Sequence, residues 1–256
     1  MSRIVSLVSG KGGVGKTTVS SNLGLVLNNM GKKTILVDGN VTTPNLAINL
    51  GIPQNRPTLQ DVLEEKVRIE NAIYVHPSGL HIVPSGISLQ NLKRRFTKFI
   101  GESIIDLVGK YDWILIDTPA GLGREARIAI EAANEVVIVT NPELPAVVDA
   151  LKAKNIARSL GTAPIGFILN KVIGDKIEMG IEEVSNFLDL PILASIPFSK
   201  DIKWSIREKE SLVFAKPDSP ASIQFKKVAA ALLGKQYEVL EKPGIIQRIR
   251  RLLRVI

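Results

Sequence analysis

The sequence predicts an α/β fold: a doubly wound, mostly parallel sheet with helices on both faces, followed by a C-terminal amphipathic helix. Three observations carry this. Seven apolar runs, at residues 4–8, 34–37, 80–83, 113–116, 136–140, 165–169 and 192–196, are near-continuously hydrophobic rather than alternating, the pattern of parallel strands covered on both faces. Helix-period segments, among them 19–30, 58–65, 89–110 and 221–233, lie between most of these runs, so crossovers join parallel strands. A glycine-rich turn leads from the first strand into the first helix, and in such folds ligands sit at the carboxyl ends of the strands.

The chain of 256 residues, 45% hydrophobic, is long enough for one large α/β domain with a well-buried core. We divide it into a domain at 1–234, a linker at 235–244 containing Pro243, and a tail helix at 245–256. There is no cysteine, which excludes disulfides, thiolate metal sites and cysteine-held iron–sulfur clusters. The first strand starts at Ile4 and no window approaches the roughly 20 apolar residues of a membrane span. A cytoplasmic protein, or one held peripherally at the inner face of the membrane, is therefore expected. The net charge is +8, but Lys242, Arg248, Arg250, Arg251 and Arg254 follow Glu241 with no acid among them. The excess is largely that of a charged tail.

The turn reads Ser9-Gly10-Lys11-Gly12-Gly13-Val14-Gly15-Lys16-Thr17-Thr18. From Gly10 to Thr17 it satisfies the spacing G-x-x-x-x-G-K-[ST] in the strand-to-helix setting that the chemistry requires. Glycines let the backbone wrap an anion, and successive N–H groups and the helix N-terminus point at phosphates. Lys16 would meet the β- and γ-phosphates, and the Thr17 hydroxyl would hold Mg²⁺.

Lys11 is a second lysine that a phosphate loop does not need, and it repels Lys16 unless phosphate neutralises both. With it, KGGVGKTT resembles the deviant Walker A motif of the MinD/ParA ATPases. The resemblance covers nearly the whole chain and is most specific at residues 9–18, 117–121 and the tail. It implies ATP/ADP and Mg²⁺ as cofactors and an ATP-dependent homodimer in which Lys11 reaches the partner's phosphates.

Further segments match in order. Asp38-Gly39-Asn40-Val41-Thr42-Thr43-Pro44-Asn45-Leu46 resembles switch I, with Asp38 near Mg²⁺ or the attacking water; Asn40 stands where the family usually has a second acid. A neutral amide orients a water without accepting its proton, so slow or partner-stimulated hydrolysis is expected, with Lys11, Lys16, Asp38 and Asn40 as the catalytic set. The strand at 113–116 ends in Asp117, which suits a Walker B acid on the Mg²⁺ waters. Pro119, Ala120 and Gly121 then resemble switch II. Thr140-Asn141-Pro142-Glu143 leads into a helix holding Asp149, which the resemblance places at the dimer face as a resting partner of Lys11. By the same resemblance Asn170 bonds the adenine and Pro197 packs on the base. Without that family context either residue is simply part of a turn.

His76 and His81, the only histidines, lack neighbouring acids or thiols and read as structural. Lys93, Arg94, Arg95 and Lys98, among apolar residues of 89–110, read as the exposed face of a crossover helix; a DNA-binding patch of ParA type is the less favoured alternative.

In the tail, Ile245, Ile246, Ile249, Leu252, Leu253 and Ile256 form one helical stripe, with Arg248, Arg250, Arg251 and Arg254 around it. At about 18 Å the segment is too short to span a bilayer. It suits an anionic membrane surface, where each basic residue contributes about 1 kcal/mol. Docking on the chain's own core or on a protein partner are the alternatives. A MinD-type tail at this place favours the membrane. The expected function is an ATPase that dimerises on ATP, binds membrane through its tail and positions other machinery through an unidentified cargo or activator protein. A ParA-like DNA binder, or a platform that scarcely hydrolyses, stands as the alternative.

Overall fold

The computed structural model describes residues 1–53, 55–86 and 99–237. In chain order the elements are β1 (Arg3–Val8), α1 (Lys16–Asn29), β2 (Thr34–Asp38), α2 (Leu46–Asn49), α3 (Leu59–Leu63), β3 (Tyr74–Val75), β4 (His81–Val83), α4 (Ile100–Ile105), β5 (Trp113–Asp117) and α5 (Arg124–Glu131). There follow β6 (Glu135–Thr140), α6 (Leu144–Ser159), β7 (Ala163–Val172), α7 (Ile181–Leu188), β8 (Ile192–Pro197), α8 (Lys200–Glu208), α9 (Leu212–Ala215) and α10 (Pro220–Leu232).

The strands form one sheet in the order β3-β4-β2-β5-β1-β6-β7-β8. Every pairing is parallel except β3 with β4. All seven apolar runs are strands. Alternate residues feed two cores: Val5, Leu7, Leu36 and Leu115 pack with Leu23 of α1 and Phe225 and Val228 of α10. Ile35, Val37, Ile114 and Ile116 pack on the other face with Val62, Ile104 and Ala129 of α3, α4 and α5. Burial on both faces is what made the strands read as unbroken apolar runs.

One expectation is corrected. Residues 89–110 do not form one helix. Those from 87 to 98 lie outside the described residues, and α4 stops at Ile105. A turn follows in which Gly109 has φ 81° and Val108 bridges Tyr111. The two-residue β3 at the antiparallel edge was not anticipated. Lys93, Arg94, Arg95, Lys98 and the tail at 245–256 fall outside the described residues, and among those described no helix is long and apolar enough to cross a membrane.

A cation cluster ties the base of the domain together. Arg3 lies over the Trp113 ring at 4.4 Å, pairs with Glu135 at 2.8 Å and donates to the Leu232 carbonyl at 2.5 Å. The last turn of α10 is thereby fastened beside the amino ends of β1, β5 and β6, on the opposite edge of the sheet from the glycine-rich turn.

Candidate functional site

The turn after β1 is held from several sides. The Asn170 amide donates to the Val14 carbonyl at 2.7 Å, Lys171 Nζ to the Gly13 carbonyl at 2.5 Å, and the Gly121 N–H to the Ser9 carbonyl at 3.2 Å. Two glycines are sterically required. A Cβ on Gly10 would lie 2.3 Å from the Asp149 carbonyl oxygen of α6, and one on Gly15 would lie 2.3 Å from Asn170 Nδ2. Gly15 also has φ 93°, where side chains are strained. Lys16 then opens α1, so the first amides of a helix face the loop's concavity, as anion binding needs. Gly12 and Gly13 are exposed there, and Thr17 and Thr18 half-buried on the first turn.

Lys16 is 6% exposed. Its Nζ donates to Asp117 at 2.8 Å and to the Thr118 carbonyl. Asp117 also accepts from the Ser20 hydroxyl at 2.8 Å; Ser20 is one turn beyond Lys16 on the same helix face. Asp38 is the register partner of Asp117 across β2 and β5 and is fully buried. One of its oxygens accepts the Asn40 N–H at 3.1 Å, while Oδ2 has no protein partner. Burial, and then the Asp117 charge, push the Asp38 carboxyl up to about 8.

Buried polar atoms are nearly always satisfied. Besides Asp38 Oδ2, side-chain oxygens of Ser9, Asn141 and Asn170 are buried without a protein partner. All four belong to the carboxyl-end loops or strand ends around the glycine-rich turn. An oxygen-only donor set of Thr17, Asp38 and Asp117 suits a hard cation such as Mg²⁺. Among the described residues no three His, Cys, Asp or Glu side chains could cage a metal, so phosphate oxygens and water would complete the shell.

Other anticipated residues take different positions. The Asn40 amide is spent inside its own loop: Nδ2 donates to the Thr43 carbonyl at 2.6 Å, and Oδ1 accepts from the Thr43 N–H at 3.1 Å. Lys11, on the exposed loop, pairs with Glu143 at 3.3 Å. Asp149, expected as that partner, pairs instead with Lys152, its i+3 neighbour on α6, at 3.0 Å, and its backbone packs against Gly10. Asn170 holds the loop itself, leaving only its Oδ1 for a base. Pro119 is buried, whereas Ala120 is exposed and Gly121 and Pro197 half-buried along the rim. His76 and His81 are spent on Ser78 and Tyr111, each at 2.7 Å, as structural residues.

Sequence reading missed Ser20, Lys171 and the Glu143 pairing. Ser20 was legible as the i+4 neighbour of Lys16. Lys171 was not, since its reach depends on a left-handed backbone, φ 61°, that returns its side chain to Gly13.

A buried lysine–carboxylate pair under a glycine-rich turn, at the carboxyl end of a doubly wound parallel sheet, defines a P-loop nucleotide-binding domain. Comparison with known proteins agrees. The family model described as an AAA domain matches residues 2–154. An uncharacterized ATP-binding protein of Methanocaldococcus jannaschii is 36% identical over 238 residues, 93% of this chain and 90% of that protein. Among solved structures, the septum site-determining protein MinD of Pyrococcus horikoshii, complexed with Mg-ADP, is 36% identical with a TM-score of 0.87, covering 96% of this chain and 99% of that one. MinD in the MinC:MinD complex of Aquifex aeolicus is 28% identical with a TM-score of 0.80, covering 93% and 98%. The chain belongs to the MinD/ParA family of P-loop ATPases.

Proposed function

We propose that this chain is a MinD-type ATPase. On this reading it binds ATP with Mg²⁺, dimerises through the nucleotide, binds an anionic membrane through residues 245–256 and is released on hydrolysis, so positioning division or other cellular machinery. The observation that carries the reading is the contrast between the two loop lysines. Lys16 is buried on Asp117, whereas the Lys11 side chain is 39% exposed and held only by an exposed, exchangeable ion pair with Glu143. Such a pair is weak, so Lys11 is free to exchange Glu143 for a phosphate offered by a second copy.

The ion, when bound, supplies charge neutralisation between phosphate oxygens. Phosphoryl transfer depends mainly on such positioning and charge. Lys16, with the amides of Gly12 to Thr17, would hold the phosphates. Thr17, Asp38 and Asp117 would hold the ion's shell, and Asp38 with Asn40 the attacking water. Asn40 favours a slow reaction, since its amide is already committed to Thr43. Release would then await a stimulating partner. A nucleotide-locked platform that scarcely hydrolyses ATP is the alternative reading. Turnover at background even with lipid and candidate partners would favour that alternative.

One tail offsets its own ordering cost only narrowly, because fixing each residue costs about 1 kcal/mol or more. Two tails on one dimer act at high effective concentration, and avidity rises by about 10²–10⁴. Co-sedimentation with anionic vesicles, comparing the full chain with residues 1–244 under ADP, ATP and a non-hydrolysable analogue, tests this. Binding is expected for the full chain with ATP or the analogue. Equal retention of the shortened chain would remove the mechanism.

A further inference from the structure

Switch I is moored to the exit of β4 by two fully buried side chains. Gln60, on α3, has no solvent exposure. Its Nε2 donates to the Val41 carbonyl at 3.0 Å and to the Gly86 carbonyl at 3.2 Å, and its Oε1 accepts the Gly86 N–H at 2.9 Å. Ser85, 1% exposed, donates to the Asp38 carbonyl at 2.7 Å. The two side chains therefore grip switch I at both ends of the arc from Asp38 to Val41, and both grips lead to Ser85 and Gly86.

The anchor is itself braced. The Leu59 N–H donates to the Pro84 carbonyl at 2.8 Å, and Thr58 caps α3 through Asp61, at 2.9 Å from its N–H and 2.8 Å from its hydroxyl. Val41 packs in the same core as Val62 and Leu63 of α3. A glutamine is costly to bury unless its amide is satisfied. Here every bond it makes goes to backbone distant in sequence, and one of those backbone groups lies in the catalytic loop.

We infer that Gln60 and Ser85 are positioning residues for ATP hydrolysis, fixing the backbone at Asp38 and just after it, at Val41, so that the Asp38 carboxyl group is held opposite Asp117. Neither side chain touches the phosphate loop. Their loss therefore acts on the chemical step and leaves the phosphate loop at residues 10–18, and with it nucleotide affinity, almost unchanged. Because both side chains hold one arc, removing the second after the first costs little more. The inference rests on hydrolysis occurring at this loop and is independent of dimerisation and of the membrane.

The test uses full-length Gln60→Met, Ser85→Ala and the double variant. Affinity for fluorescent ADP and ATP analogues is measured beside single-turnover hydrolysis with Mg²⁺ and amide hydrogen exchange across residues 38–45 and 10–18. In each single variant affinity stays within about twofold while hydrolysis falls about tenfold or more, the split expected when only the transition state loses support. Exchange rises in 38–45 and not in 10–18, and the double variant falls well short of the product of the single losses. Should Gln60→Met fail to fold, Ser85→Ala, which removes one oxygen, decides alone. If wild-type turnover is itself at background, the hydrolytic reading fails separately, and exchange still reads the mooring. Unchanged hydrolysis and exchange in folded variants, or affinity falling in step with hydrolysis, overturns the inference.

Discussion

Asp38 and Asp117 stand as register partners at the last paired position of β2 and β5, both buried, and of the two carboxyl groups it is that of Asp117 that Lys16 bonds. Two carboxylates so placed resist carrying charge together. Burial first, and the Asp117 charge second, raise the Asp38 carboxyl from its ordinary 3.8 to about 8. The folded chain then keeps a proton that the unfolded chain releases above its ordinary pKa. The sign follows from linkage: this contribution to stability is whole below about pH 4 and is lost as pH rises towards about 8. We predict that the unfolding temperature of the nucleotide-free protein declines from about pH 5 to about pH 8. Asp38→Asn should flatten that decline and raise the unfolding temperature at the alkaline end. A profile unaffected by the substitution would show that Asp38 is not the proton's site.

The closeness of Gly10 to α6 gives a second prediction. Gly10→Ala puts a methyl into the Asp149 backbone, 2.3 Å from its carbonyl oxygen, where neither element can yield easily. The loop must shift, at a cost of about 1–3 kcal/mol in stability. Nucleotide affinity should fall as well, since the amides no longer converge. Gly109→Ala serves as the comparison. Gly109 has a left-handed backbone but an open surround, so it should lose stability without losing affinity. Chemical denaturation and nucleotide titration read both.

A third concerns Lys154 of α6, whose side chain is 4% exposed. Its ammonium caps the C-terminus of α7, donating to the Leu188 carbonyl at 2.6 Å and to the Asp189 carboxylate at 3.2 Å. Cations suit a helix C-terminus. Lys154→Ala strands the Leu188 carbonyl and leaves a cavity, so we expect a loss of about 2–4 kcal/mol in denaturant unfolding. Nucleotide affinity should be unchanged, because α7 lies away from the loop residues 10–18. A parallel loss of affinity would mean that α7 supports the site.

The sheet was legible because its strands are buried on both faces and follow one another through crossovers. β3 was not, since two residues carry no periodicity. The helix expected over 89–110 failed where local spacing meets tertiary demand: Ile104 and Leu107 are both buried, yet the chain turns at Gly109 to enter β5. Asp38 and Asp117 could be found because they end neighbouring parallel strands, and Lys16 because it opens the helix after the glycine-rich turn. The partner of Lys11 could not. Glu143 caps α6 and Asp149 lies within its second turn, and the sequence does not say which of the two acids faces the lysine. Asn40 was legible as a departure from the family, but its commitment to Thr43 depends on the closed turn of switch I.

On the proposed function, Lys11 leaves Glu143 to close over a nucleotide shared by two copies. Light scattering on a sizing column, with ATP or a non-hydrolysable analogue and Mg²⁺, measures this most directly, comparing wild type with Lys11→Ala. Wild type is expected to be a dimer with triphosphate and a monomer with ADP, and Lys11→Ala a monomer although it still binds nucleotide. A wild type that stays monomeric when loaded with triphosphate, or a Lys11→Ala variant that pairs as well as wild type, would contradict the proposed function.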